Sequence, residues 1–362
     1  MVNGVKVPKK ESEEEKQELL TAGQGSNGCS YYYWLLDEES RAEYMKILDG
    51  LQDMKEEIDL FLDEEETVKI VKMVLADHPE LFWTEASYHY TVYKDWIRLK
   101  PVYTCSPEEK EERAVAVEAT VQEALQSIPE GLSSYEHIKT LFSYVVNTVS
   151  YDLDAPDNQN IYSSMVNRVS VCTGYAKELQ YLLQRDGIQA LLVEGEVVDR
   201  GPHAWIIVLC DGKYYHVDPT FGDPSYTEDS MESMDSLPPE LQVDYAFLCC
   251  DDQEISRDRS ISRELELPVC DSRDLLYYPM HGTCFDSYGE EVLVSLQDSL
   301  ERGENFWEGQ FTNEEAFETM IAKMQDGVYA NLVLANNPYM ESVLCRMSYR
   351  TESRVVKMWY EQ

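Results

Sequence analysis

The sequence predicts an α+β fold, and three features carry that prediction. A strongly amphipathic helix reads from Thr173 to Arg185, two β-like runs follow it, and Asp211-Gly212 joins the second run to a third. Asp-Gly between apolar runs is a strong short hairpin signal. The remaining elements arrange around this centre. Residues 1–29 are Glu-rich and then Gly/Ser-rich, which reads as a flexible tail. Tyr44, Ile47, Leu48, Leu51, Met54, Ile58, Phe61 and Leu62 recur mostly at three- and four-residue steps, so one helix is expected over 39–62. A second is expected over 64–76, ending before His78-Pro79. Residues 88–103 are rich in Tyr, Val, Trp and Ile and read as extended strand. Ser106-Pro107 with Glu109, and Ser133 with Glu136, are capping-box starts of two further helices. After Gly187 come β-like runs at Ala190–Val198, His203–Cys210 and Tyr214–Phe221. Phe306–Phe311 and Val355–Tyr360 read as strands, with a helix over Asn313–Met324 between them. The expected organisation is a tail (1–29), a helical lobe (30–134), an α+β core (135–270) and a small carboxy-terminal α+β domain (271–362).

The composition excludes some partners. The chain has 362 residues, with 69 Asp or Glu against 30 Lys or Arg, for a net charge of −39. Nucleic acid is not an expected partner, because phosphate binding needs clustered bases, and an anionic membrane is disfavoured for the same reason. No apolar run approaches the ~18 residues of a membrane span, and no signal peptide is visible at the amino terminus. The nine cysteines are irregularly spaced and odd in number, which fits reduced thiols. Cys-x-x-Cys and His-Glu-x-x-His are both missing, so neither a metal nor another cofactor is expected. The expected compartment is the cytoplasm, or the cell exterior if a leader has been removed.

The chemistry concentrates in residues 172–218. Acyl transfer by a thiol needs a thiolate, a base that handles its proton, and a group orienting that base. Cys172 lies at the expected start of a helix, where free amides and the helix dipole favour a thiolate. Gly174 allows close backbone approach there. A two-residue turn at Asp211-Gly212 sets Cys210 opposite Lys213 and therefore Asp218 opposite Trp205. His203 then shares a face with Asp218 as a diagonal neighbour at roughly 7–8 Å, close enough for imidazole and carboxylate to meet. A four-residue loop keeps that register, and a three-residue loop breaks it. Cys210 has the opposite parity and points away. His216 shares the site face and is expected to be a satisfied structural histidine. Trp205 is expected to pack over the site, and Tyr162 is a candidate hydroxyl for an oxyanion hole.

Three blocks carry a resemblance: Val171-Cys172-Thr173-Gly174-Tyr175-Ala176, Pro202-His203-Ala204-Trp205, and Asp211-Gly212-Lys213-Tyr214-Tyr215-His216-Val217-Asp218-Pro219-Thr220. Together they resemble the bacterial transglutaminase-like family over about residues 135–225. That resemblance implies a papain-like core with Cys172 as nucleophile, His203 as general base and acid, and Asp218 as orienter. Ile206 stands where Asn often follows the His-Ala-Trp run, and Phe221 replaces a frequent Trp. The implied activity is acyl transfer on peptide or amide substrates through a thioester, resolved by water (peptidase or amidase) or by an amine. The competing class is a non-catalytic peptide- or protein-binding module on the same fold.

From Pro219 to Glu254 there is no Lys or Arg, while ten Asp and Glu residues occur. A solvated acidic loop is the plain reading. The functional one is an acidic approach to the cleft, with basic peptides as the candidate substrates.

Overall fold

The computed structural model describes residues 31–223 and 237–361. The expected tail over 1–29 lies outside the described residues. So do Glu228, Asp229, Glu232 and Asp235 of the base-free stretch.

The chain opens with α1 (Tyr31–Leu35) and α2 (Glu38–Gln52). The helix expected over 39–62 is therefore ten residues too long. Met54 takes a left-handed φ of 53°, which ends the helix, and Ile58–Leu60 forms β1 with its outer two residues buried. Ile58, Leu60 and Leu62 follow period two, so Phe61 between them points outward, 64% exposed. α3 (Glu64–Asp77) is capped by the Asp63 side chain. The extended stretch that follows is a hairpin, β2 (Thr84–Val92) and β3 (Ile97–Tyr103), and β3 is central in the order β1-β3-β2. The expected helical lobe thus also contains a small sheet. Both capping boxes form at α4 (Pro107–Gln126) and α5 (Ser134–Thr148).

A two-stranded parallel pair, β4 (Ser150–Tyr151) and β5 (Val169–Ser170), leads directly into α6 (Cys172–Arg185). Behind α6 lies a four-stranded sheet in the order β8-β7-β6-β9. Its strands are β6 (Ala190–Val197), β7 (Gly201–Cys210), β8 (Lys213–Val217) and β9 (Arg259–Ile261). β8 is shorter than the run expected over Tyr214–Phe221. Pro219 cannot donate to a ladder, and Asp218 caps a single helical turn over Pro219–Gly222 instead.

β10 (Cys284–Phe285), α7 (Glu290–Glu301), β11 (Phe306–Phe311), α8 (Glu314–Gln325), α9 (Val328–Asn336), β12 (Leu344–Arg350) and β13 (Val355–Glu361) complete the chain. Their sheet runs β10-β11-β13-β12. The structure is therefore α+β throughout. One apolar core draws on residues from Tyr31 to Tyr278 together with Val355, and a second runs from Phe285 to Tyr360. Among the described residues no helix is long and apolar enough to cross a membrane, and the eight cysteines are free thiols.

Candidate active site

The hairpin between β7 and β8 fixes the site. Asp211 and Gly212 both take positive φ, 50° and 80°, as a two-residue turn of this hand requires. Cys210 pairs with Lys213, and the ladder runs on to Ile206 opposite Val217. Asp218 follows opposite Trp205, diagonal to His203. The two side chains meet: His203 Nε2 lies 2.8 Å from Asp218 Oδ2, with both residues buried.

Cys172 reaches the same point from the start of α6. Val171 is extended there, and its amide donates to the Asn158 carbonyl at 3.1 Å, which ties the helix start to the preceding loop. Ser170 Oγ donates to the same carbonyl at 2.6 Å. Gly174 is what lets this loop close down on α6. A Cβ at position 174 would sit 1.8 Å from Ser170 Oγ and 3.3 Å from the Asn158 carbonyl.

Most of the longer helices here carry a polar cap such as Asp37, Asp63, Ser106, Ser133 or Asn313, but Val171 offers no side-chain oxygen. The first amides of α6 are accordingly left without a cap. The half-buried Cys172 thiol is hydrogen-bonded to His203, and the Ala204 amide also donates to the sulfur. Since Nε2 is engaged by Asp218, Nδ1 is the ring nitrogen left for the thiol.

The charges couple along this line. Burial raises the Cys172 thiol, but the His203 hydrogen bond and charge, with the Ala204 amide, outweigh it and bring the pKa below the ordinary thiol value. For His203, burial alone would lower the pKa. The charge of Asp218 and the hydrogen bonds to Asp218 and Cys172 overcome this and raise it to about 9. Burial likewise acts to raise Asp218, while His203 and Arg259 together hold it below the usual carboxylate value. All three directions favour a thiolate–imidazolium pair steadied by a carboxylate.

Asp218 has more partners than the sequence suggested. Its Oδ1 accepts from the Thr220 and Phe221 amides at 3.1 and 3.2 Å. Its Oδ2, besides meeting His203, accepts from Arg259 Nη2 at 2.9 Å. The Arg259 side chain is fully buried, with its guanidinium 4.1 Å from the ring centres of both Phe221 and Phe247. Arg259 lies on β9, 41 residues beyond Asp218 and outside any motif, so no sequence signal pointed to it.

The other expected site residues fall as follows. Trp205 is fully buried and stacks on His203 at 5.9 Å. Its Nε1 donates to His216 Nδ1 at 3.0 Å, so the His216 proton sits on Nε2, which donates to Asp252 Oδ1 at 2.9 Å. Both ring nitrogens of His216 are thus satisfied. The Tyr162 ring stacks on Phe82 at 6.0 Å, with the Arg113 guanidinium 4.7 Å from its ring centre. Ile206 alternates onto the face of β7 opposite His203, whereas Phe221 meets the His203 ring edge-on at 5.3 Å.

His216, Asp252 and Cys270 each offer a donor atom within 4.8 Å of the others. There the imidazole and carboxylate bond each other, and burial raises the Cys270 thiol pKa, which opposes metal binding. Of the base-free stretch, Asp223, Asp244, Asp251 and Glu254 are buried. Asp223 accepts from Tyr175 Oη, Asp244 pairs with Arg350, and Asp251 caps a helical turn.

Compared with known proteins, residues 102–219 match the family model described as the transglutaminase-like superfamily. That span contains Cys172, His203 and Asp218. No curated protein matches the chain. Similar solved structures include a TGase, with 14% identity over 51% of this chain and 55% of that one and a TM-score of 0.28. A candidate cysteine protease from Cytophaga hutchinsonii shows 14% identity over 37% and 61%, with a TM-score of 0.27. Menin, in a structure revealing its binding site for the Mixed Lineage Leukemia protein, shows 16% identity over 64% and 59%, with a TM-score of 0.26. The chain thus spans between half and two thirds of the length of each of these relatives.

Proposed function

From the match of residues 102–219 to the transglutaminase-like superfamily we propose that the chain is a cysteine-dependent acyl-transfer enzyme. Its substrates are peptides or other amides, and its usual outcome is hydrolysis. One observation carries this reading: the unbroken line from the Cys172 thiol through His203 to Asp218. A merely structural cysteine has no need of a lowered pKa or of a buried imidazole held by a carboxylate.

In the proposed cycle the Cys172 thiolate attacks the amide carbonyl carbon and forms an S–C bond. The oxyanion that develops is met by the uncapped amides at the start of α6. The His203 imidazolium gives its proton to the leaving nitrogen as the C–N bond breaks, and a thioester remains. Water then attacks with His203 accepting its proton, and the S–C bond breaks to return the thiolate. An amine in place of water would give transglutaminase-type transfer through the same thioester. Water needs no dedicated acceptor site, so hydrolysis is the reading adopted.

Iodoacetamide labelling near neutral pH, read residue by residue by mass spectrometry, tests the thiol. Cys172 should react far faster than Cys105, whose pKa burial raises. Equal rates would leave a binding module on this fold as the better reading. Digestion of a peptide library with and without a dansylated primary amine then separates hydrolysis from transfer.

A further inference from the structure

A cavity of about 560 Å³ lies against the nucleophile helix. Its walls adjoin Cys172 in the chain and His203 in the sheet, without including either. Thr173 follows the nucleophile directly, Asn158 accepts the Val171 amide, and Val193 and Glu194 lie on β6 opposite Trp205 and Ala204. Such a volume suits an amino-acid side chain with part of its backbone.

The charges in this cavity are mostly spoken for. Lys72 pairs with Glu264, and Asp157 pairs with Arg113 at 3.4 Å. The Glu85 carboxylate, out at the exposed edge, accepts from the Ser87 hydroxyl at 2.6 Å. Lys177 differs. It sits one helical turn beyond Thr173, half-buried, and its ammonium makes no hydrogen bond or ion pair among the described residues. The exposed Glu194 acts on it only through space. A half-buried ammonium without a partner is poorly solvated and gains most from an anion that enters beside it. The exposed carboxylates keep their water and gain little from a cation.

We propose that this cavity receives the acyl portion of the substrate and that Lys177 anchors a side-chain carboxylate there, so that the preferred substrates are acidic peptides. This rests on the thiol-enzyme reading above and adds to it a substrate class. Burial also depresses the Lys177 pKa, and the charge of Glu194 offsets this only in part.

Dipeptidyl chloromethyl ketones that carry glutamate, glutamine or lysine test this on the full chain. Thiolate displacement of chloride leaves a thioether on Cys172, and the rates are read by mass spectrometry. The glutamyl probe should label Cys172 at least about tenfold faster than the glutaminyl one, the usual size of one charge-assisted hydrogen bond. Lys177→Met should erase that ratio, and Lys177→Arg should keep most of it. A lysyl probe that labels fastest in the wild type would overturn the proposal, even if neither variant folds. So would a glutamyl-to-glutaminyl ratio that survives Lys177→Met. If iodoacetamide finds Cys172 no faster than Cys105, the thiol-enzyme reading fails, and the substrate class falls with it.

Discussion

Replacing Arg259 tests the charge balance of the site. His203 Nε2 and Arg259 Nη2 reach the same Asp218 oxygen at 2.8 and 2.9 Å, so the two cationic groups lie within about 6 Å of each other. At an effective dielectric of about 20, two like charges at that separation repel by roughly 3 kcal/mol, or about two pKa units. Arg259→Met removes the repulsion, so His203 should hold its proton more tightly and titrate one to two units higher.

The stability effect has a definite sign as well. The His203 pKa is raised to about 9 in the fold, so its pairing contributes fully below the ordinary histidine value and is lost as pH rises through about 9. In Arg259→Met that loss moves to higher pH. Asp218 behaves oppositely. Its pKa is lowered, so its contribution is present above the usual carboxylate value and is lost as pH falls through the lowered one. Without Arg259 that loss begins at higher pH. Breaking a buried ion pair costs about 3–5 kcal/mol, and the lower end is expected because His203 and two amides still bond Asp218.

The assay is an NMR titration of His203 in a Cys172→Ala background, with and without Arg259→Met, alongside urea unfolding. Arg259→Lys keeps a charge and should stay near the parent. A His203 midpoint that stays put or falls in Arg259→Met would refute the coupling.

Acyl transfer should lose activity above pH about 9, where His203 can no longer protonate the leaving group, while Cys172 alkylation continues to higher pH. Asp218→Asn should lower turnover by about 10²- to 10⁴-fold with the fold retained, since the imidazole loses its charged orienter. Cys210→Ala should leave turnover nearly intact, because that thiol is buried with its pKa pushed up to about 12; the reverse order would contradict the observed hairpin register. Gly174→Ala should destabilise by about 1–3 kcal/mol through the clash with Ser170, and Ser170→Gly in the same chain should recover much of it in a thermal melt.

The parts that were legible in the sequence were those governed by local rules. Asp211-Gly212 specifies a turn, the turn specifies a register, and the register alone sets His203 diagonal to Asp218. Ser106 with Glu109 and Ser133 with Glu136 likewise fixed two helix starts. Contacts across long separations were not legible. Arg259 gives no sign that it will fold back on Asp218, and the Trp205–His216–Asp252 chain depends on a register plus a loop. The overlong helix over 39–62 shows the limit of periodicity, since Ile58 and Leu62, four residues apart, share a face in a strand as well as in a helix.

Two buried cations on the closing hairpin bear on where this protein can be cut. From β13, Lys357 Nζ donates to the Leu241 and Val243 carbonyls, both at 2.7 Å. From β12, Arg350 donates to the Phe221 and Asp223 carbonyls, just past the turn that Asp218 caps. Arg259, which clamps Asp218 itself, also lies beyond residue 219. The stretch that a family comparison recognises is therefore shorter than the stretch that shapes its chemistry. A fragment trimmed to the recognisable span would keep Cys172, His203 and Asp218 and lose the Arg259 side chain that holds the last of them.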